Sequence, residues 1–149
     1  MHEIRFVTAT ECLELRSKVL RPNQPIDVCH YPEDNHKDSF HLGYLINQQM
    51  IGNGTFLPNA HSDFSTSINP YRLRGMAVDP QHQGLNIGTK ILSKSLDILQ
   101  EKQADLLWFN ARESAFHFYE KNGFLFHGEL FDIPTIGPHK VMYKWLQSR

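Results

Sequence analysis

The sequence predicts a single α/β domain, residues 1–149, in which short strands alternate with a few helices. Three observations carry that expectation. The chain has 149 residues, which suits one domain with one hydrophobic core. Residues 73–78 form an apolar run stopped by Pro80, and residues 89–102 place Ile91, Leu92, Ser95, Leu96, Ile98 and Leu99 at helical spacing. Gly84 and Gly88 stand between those runs, so the segment reads as strand, turn and helix.

The other elements follow in order. Residues 2–7 alternate, with Ile4, Phe6 and His2 on one face and Glu3, Arg5 and Val7 on the other, a half-buried strand. A helix then runs to about Leu20, capped by Thr8 or Thr10, with Glu11 three residues after Thr8 in capping-box spacing. Its apolar face is Cys12, Leu13, Leu15, Val19 and Leu20, and Pro22 and Pro25 end it. Residues 22–39 are polar, irregular and too long for a plain connection. They read as a binding loop carrying His30, Asp34, His36 and His41, as a metal site of the same residues, or as a solvated histidine-rich loop. No helical or hairpin spacing orients two ligands together, which argues against the metal. The loop is assigned to substrate contacts, with Asp34 and His41 as candidates.

Residues 40–46 and 50–57 read as antiparallel strands joined at Asn47-Gln48-Gln49, with Gly52 and Gly54 weakening the second strand or marking a bulge. A loop of small and polar residues, 58–70, leads to a strand from Tyr71 on which Arg72 and Arg74 share one face. Such a pair can receive a carboxylate or phosphate, or simply pair with nearby acids on a solvated face. Arg74 is therefore a third substrate candidate. Beyond the long helix, residues 104–110 read as a buried strand and 113–121 as a short helix closed by Asn122-Gly123. Residues 124–131 and 140–146 read as the last strands, with a turn at 134–138.

Fifteen Lys and Arg against sixteen Asp and Glu leave a formal charge of -1. That balance gives no electrostatic footprint for nucleic acid or an anionic membrane, so an anion site has to be local. Cys12 and Cys29 fit neither a disulfide framework nor a paired metal motif, and a reducing cytoplasm is the expected compartment. Residues 1–5 lack a hydrophobic signal core, and no apolar run approaches membrane-spanning length.

The turn at 78–88 is the most informative stretch. It directs N–H groups toward one spot in front of a helix N-terminus, the arrangement of a phosphate site, although the same glycines also serve a plain structural turn. Neither Gly-x-x-x-x-Gly-Lys-Ser/Thr nor Gly-x-Gly-x-x-Gly is present, so a nucleotide-binding αβ domain lacks its motif. The segment Gln83-Gly84-Leu85-Asn86-Ile87-Gly88 instead resembles the Gln/Arg-x-x-Gly-x-Gly/Ala signature of the GNAT superfamily of acyl-CoA-dependent N-acetyltransferases. Asn86 stands where that family usually has glycine, and Asn best tolerates left-handed geometry among other residues. Residues 115–124, Ala-Phe-His-Phe-Tyr-Glu-Lys-Asn-Gly-Phe, resemble the family's Ala-x-x-aromatic-Tyr-x-Lys-x-Gly-Phe segment.

The resemblance implies a twisted mixed sheet of about seven strands flanked by helices, its fourth and fifth strands splayed to form an acyl-CoA cleft. It also implies acetyl-CoA as co-substrate. Met76, Ala77 and Val78 would hydrogen-bond the pantetheine arm, and Gln83, Gly84, Leu85, Asn86, Ile87, Gly88 and Thr89 would hold the pyrophosphate. Tyr119 would deliver a proton to the departing thiolate. Arg112 stands where many relatives have Asn, so Asn110 or Arg112 would serve the pantetheine arm. No carboxylate or histidine lies within 72–78 to act as base. His41, Asp34 or Glu113 through water, or an amine already neutral, are the options. The acceptor is a small-molecule or peptide amine, and homodimers are frequent among such proteins. A non-catalytic acyl-CoA-binding sensor on the same fold is the alternative.

Overall fold

The computed structural model describes residues 1–147. The N-terminal alternation forms β1, His2–Val7, and Thr8 caps α1, Ala9–Leu20. Both halves of the capping box are made: Glu11 N–H donates to Thr8 Oγ1 at 3.1 Å and Thr8 N–H donates to Glu11 Oε1 at 2.9 Å. The hairpin strands are β2, Phe40–Ile46, and β3, Gln49–Pro58. Asn47 and Gln48 both take positive φ, 50° and 72°, as a two-residue primed turn requires. β4, Pro70–Val78, leads through the turn into α2, Ile87–Glu101, which begins two residues earlier than its apolar spacing suggests. β5, Leu106–Arg112, a short α3, Phe116–Lys121, β6, Leu125–Ile133, and β7, Gly137–Trp145, complete the chain.

The seven strands form one sheet in the order β1-β2-β3-β4-β5-β7-β6. It is mixed: β1 with β2, β2 with β3, β5 with β7 and β6 with β7 are antiparallel, whereas β4 with β5 is parallel. The parallel pair is the one joined by a helical crossover, since parallel strands cannot be linked by a tight turn. Among the described residues, the β4–β5 register covers only Pro70–Arg72 against Leu106–Trp108.

The chain divides into two compact units, Met1–Pro58 with Leu73–Leu99, and Asn59–Arg72 with the segment from Gln100 on. In the first, Ile91, Leu92, Ser95, Ile98 and Leu99 of α2 are buried as the helical spacing predicts, Leu96 is half-buried, and Ile87 of the earlier first turn is buried with them. Gly52 makes room for them: a Cβ there would lie 2.7 Å from Ile87 Cγ2 and 3.2 Å from Ile91 Cδ1. The glycine thus permits close approach of β3 and α2 and is no mere weakening of the strand. The expected buried face of β1 is corrected: Phe6 is 60% exposed, and Val7 is buried because its Cγ1 sits over Gly43.

In the second unit, the loop before β4 is less plain than its composition suggests. Phe64 is buried against Leu106 and Trp108, with Val141 and Tyr143 beside them. Asp105 clamps the same loop, accepting from the Ile68 and Asn69 N–H groups at 2.7 and 3.0 Å. That clamp holds Ala104 and Asp105 in the connection, so β5 starts two residues later than expected.

Candidate active site

In the first unit the turn between β4 and α2 is built from both ends. Asp79 caps the 3-10 turn Pro80–His82, accepting from Gln81 N–H at 3.0 Å, and its own N–H donates to the Ile51 carbonyl at 2.8 Å. Lys18 Nζ reaches Asp79 Oδ2 at 3.0 Å. The Gln81 amide and the Lys18 ammonium hold the Asp79 carboxyl below its usual range. Gln83, Gly84, Leu85 and Asn86 are exposed, and the chain then buries Ile87 and Gly88 as α2 begins. Gly84 has φ +91° and Asn86 φ +59°. Asn86 therefore adopts the left-handed shape usually left to glycine, and Lys90 N–H donates to its carbonyl at 3.0 Å. A Cβ on Gly84 would meet nothing within 4 Å, so the turn is open to solvent at that residue. An exposed turn with two left-handed residues leading into the positive end of a 15-residue helix fits a diphosphate.

Asp34 and His41 lie in this unit as well, inside a buried network. Arg16, fully buried on α1, donates from Nη1 and Nη2 to the two Asp34 carboxylate oxygens, each at 2.9 Å. It also donates to the Cys29 carbonyl at 2.8 Å and to Thr55 Oγ1 at 2.6 Å. His41 Nε2 meets the Asp34 carbonyl at 2.9 Å, so that nitrogen carries the proton, and Nδ1 accepts from Thr55 Oγ1 at 2.7 Å. Burial lowers the His41 pKa against the opposing pull of Asp34, and the imidazole is neutral at pH 7. Burial alone would raise Asp34, but its bonds to Arg16 and the Tyr31 N–H bring it below the usual value. Both candidates are thus occupied by intramolecular partners. Arg74 differs: it is half-buried on β4, its guanidinium carbon 4.1 Å from the Tyr31 ring centroid. Sequence reasoning missed Arg16 and Tyr31. Position 16 lies four residues from Cys12 and three from Val19, which places it on the inward face whatever its charge.

Cys12, also in this unit, is buried, which pushes its thiol up to about 11 and keeps it protonated at neutral pH.

In the second unit, Tyr119 on α3 is buried against Phe109, with ring centroids 4.3 Å apart, and near Phe118 and Phe124 at 5.0 and 6.1 Å. Gly123, at φ +90°, ends the helix, and Asn122 and Phe124 N–H groups donate to the Tyr119 carbonyl at 3.0 and 3.1 Å. Burial raises the phenol pKa well above its ordinary value, and the Arg112 guanidinium offsets only part of that rise. Asn110 stands half-buried opposite Val141, and Arg112 opposite His139. Glu113 is exposed.

Comparison with known proteins bears on this geometry. A model of the acetyltransferase (GNAT) family matches residues 8–124. The chain belongs to the GNAT acetyltransferase family. This GNAT protein is 36% identical over 148 residues to an uncharacterised N-acetyltransferase, YitI, of Bacillus subtilis (strain 168), with 99% of each chain covered. Its fold is that of Escherichia coli ElaA, at a TM-score of 0.75 and 20% identity, covering 97% of this chain and 99% of that one. The fold is also similar to that of an aminoglycoside 6'-N-acetyltransferase solved with coenzyme A, at a TM-score of 0.77 and 12% identity, covering 99% of this chain and 98% of that one. The GNAT assignment makes the chain an acetyltransferase. Among its described residues no helix is long and apolar enough to cross a membrane.

Proposed function

We propose that the chain acts as a single N-acetyltransferase domain, moving an acetyl group from acetyl-CoA directly to the amine of a small molecule or peptide. The observation that carries this reading is Asn86 at φ +59°, a left-handed residue at the position where the family's signature has glycine. The amides of the 83–89 turn hold the pyrophosphate, an interaction worth about 0.3–2 kcal/mol at a helix N-terminus. Met76, Ala77 and Val78 bond the pantetheine arm in the manner of an added strand, with Asn110 as a polar contact. Tyr119 gives the proton to the departing thiolate. Its raised pKa keeps the phenol protonated throughout the neutral range, so the donor is always loaded. Direct transfer fits a Cys12 that stays a thiol. With Asp34 and His41 both engaged, the acceptor amine loses its proton to water before attack, according to its own pKa.

Tyr119→Phe tests the assignment. The expected result is a kcat at least tenfold lower in a thiol-release assay, with calorimetric acetyl-CoA affinity nearly unchanged; undiminished turnover would remove Tyr119 as the acid. One observation favours a second reading, a non-catalytic acyl-CoA sensor: the burial that raises the Tyr119 pKa also makes it a weaker acid. Acetyl-CoA binding without thiol release from any amine would select that reading.

A further inference from the structure

Arg74 and Tyr31 are forty-three positions apart, yet the fold stacks them, and Arg16 stacks on the same ring at 4.2 Å. The ring is fixed by its own backbone. Tyr31 N–H donates to Asp34 Oδ2 at 3.1 Å, and Asp34 N–H donates to the Tyr31 carbonyl at 3.0 Å. Gly75, at φ +67°, lets β4 run against the pair. A Cβ there would lie 3.0 Å from Tyr31 Oη and 3.1 Å from Arg16 Nε, a buried N–H with no partner among the described residues.

The two guanidinium groups differ in charge balance. Arg16 is fully buried and neutralised by the bidentate Asp34 carboxylate. Arg74 is half-buried, and among the described residues no carboxylate forms an ion pair with it. A guanidinium held over an aromatic face keeps its in-plane N–H fork for a planar anion, and a carboxylate matches that fork with two parallel bonds. The ordering has been done in advance by Tyr31 and Asp34, so binding an anion there costs little further side-chain freedom.

Position along the strand gives the anion a purpose. Arg74 lies on β4 two residues before Met76, the first residue assigned to the pantetheine arm, with Gly75 at φ +67° between them. A carboxylate held on Arg74 leaves the amine of the same molecule only a few bonds to span toward that arm. We propose that Arg74 binds a carboxylate of the acceptor, and that this enzyme acetylates amino carboxylates, α- to γ-amino acids, in preference to simple amines. The inference rests on the transferase reading given above, which leaves the acceptor class open.

The test compares alanine, β-alanine and 4-aminobutyrate, each against its carboxamide, with phosphoethanolamine against ethanolamine as a further pair. Thiol release gives kcat and KM, and calorimetry of the same amines on protein saturated with coenzyme A gives binding without turnover. The wild type is expected to favour the carboxylate in at least one pair by thirtyfold or more in kcat/KM, mostly through KM. Arg74→Gln and Tyr31→Leu should bring that ratio below threefold, and Arg74→Lys, which keeps the charge but not the fork, should restore part of it. A ratio near one throughout the wild-type series overturns the proposal. So does a preference that survives Arg74→Gln, or one confined to phosphoethanolamine. If no amine is acetylated while calorimetry still shows Arg74-dependent carboxylate binding, the anion site stands and the transfer reading falls.

Discussion

Asn86 must do with a side chain what glycine does without one. At φ +59° it stands in the left-handed region, where Asn is tolerated and a β-branched residue is strained by about 1–3 kcal/mol. Asn86→Gly is therefore expected to leave acetyl-CoA affinity within about threefold, and Asn86→Val to weaken it by tenfold or more, as read by calorimetry. Weaker binding in the glycine variant would mean that the Asn side chain itself contacts the ligand. The tolerance of Asn for this conformation was legible in the sequence, because the glycine signature around it is otherwise intact. Arg16 was not legible in the same way. Charge is a strong prior for exposure, and the Cys29 carbonyl, Asp34 and Thr55, thirteen, eighteen and thirty-nine residues on, make its burial possible. Spacing puts position 16 on the inward face of α1, but partners that remote leave no local sign of what satisfies its charge.

Helix α2 gains its position from a residue it does not contain. Gly52 on β3 is the contact point, and overpacking of a close approach typically costs ~1–3 kcal/mol. In Gly52→Ala the added methyl would overlap Ile87 at the first turn of the helix. The expected outcome is a lower urea midpoint together with weaker acetyl-CoA binding, since the displaced turn is the one assigned to the phosphates. A variant that loses stability but binds normally would separate the helix start from the ligand. At this scale the elements with strong local signals were readable: the Thr8 capping box, the apolar stripe of α2, and the hairpin turn expected at 47–49, which the fold closes with Asn47 and Gln48 while Gln49 opens β3. The misplaced features each answer to a tertiary partner. Phe64 is buried because Leu106 and Trp108 cover it, β5 starts late because Asp105 is tied to the preceding loop, and Phe6 is exposed while Val7 finds the gap over Gly43.

For the whole molecule, the buried network predicts acid sensitivity. In the unfolded chain His41 titrates near 6.5; in the fold its pKa is lower, so the unfolded state takes up the proton first. Stability is then present above about pH 6.5 and lost progressively as pH falls below it, until the folded imidazole titrates too. Asp34, whose pKa is also lowered by folding, adds a second loss below about pH 4. Urea midpoints measured from pH 8 to 5 should be flat above 7 and fall below 6.5. His41→Gln should flatten the 6.5–5 segment. An unchanged slope in that variant would show that other groups govern the transition.

At the rim of the sheet, β6 brings Leu125, Leu130 and Phe131 toward solvent at 60%, 49% and 37% exposure. A flat outer strand of that composition would be a template on which a neighbouring chain could add itself by backbone pairing. The register with β7 shifts between His127 and Phe131, Gly128 there takes φ +79°, and Glu129 and Asp132 put charge along the same edge. The break turns the ladder aside where it would be most adhesive. The irregularity that interrupts the β6–β7 ladder between His127 and Phe131 therefore makes β6 a poor seed for aggregation.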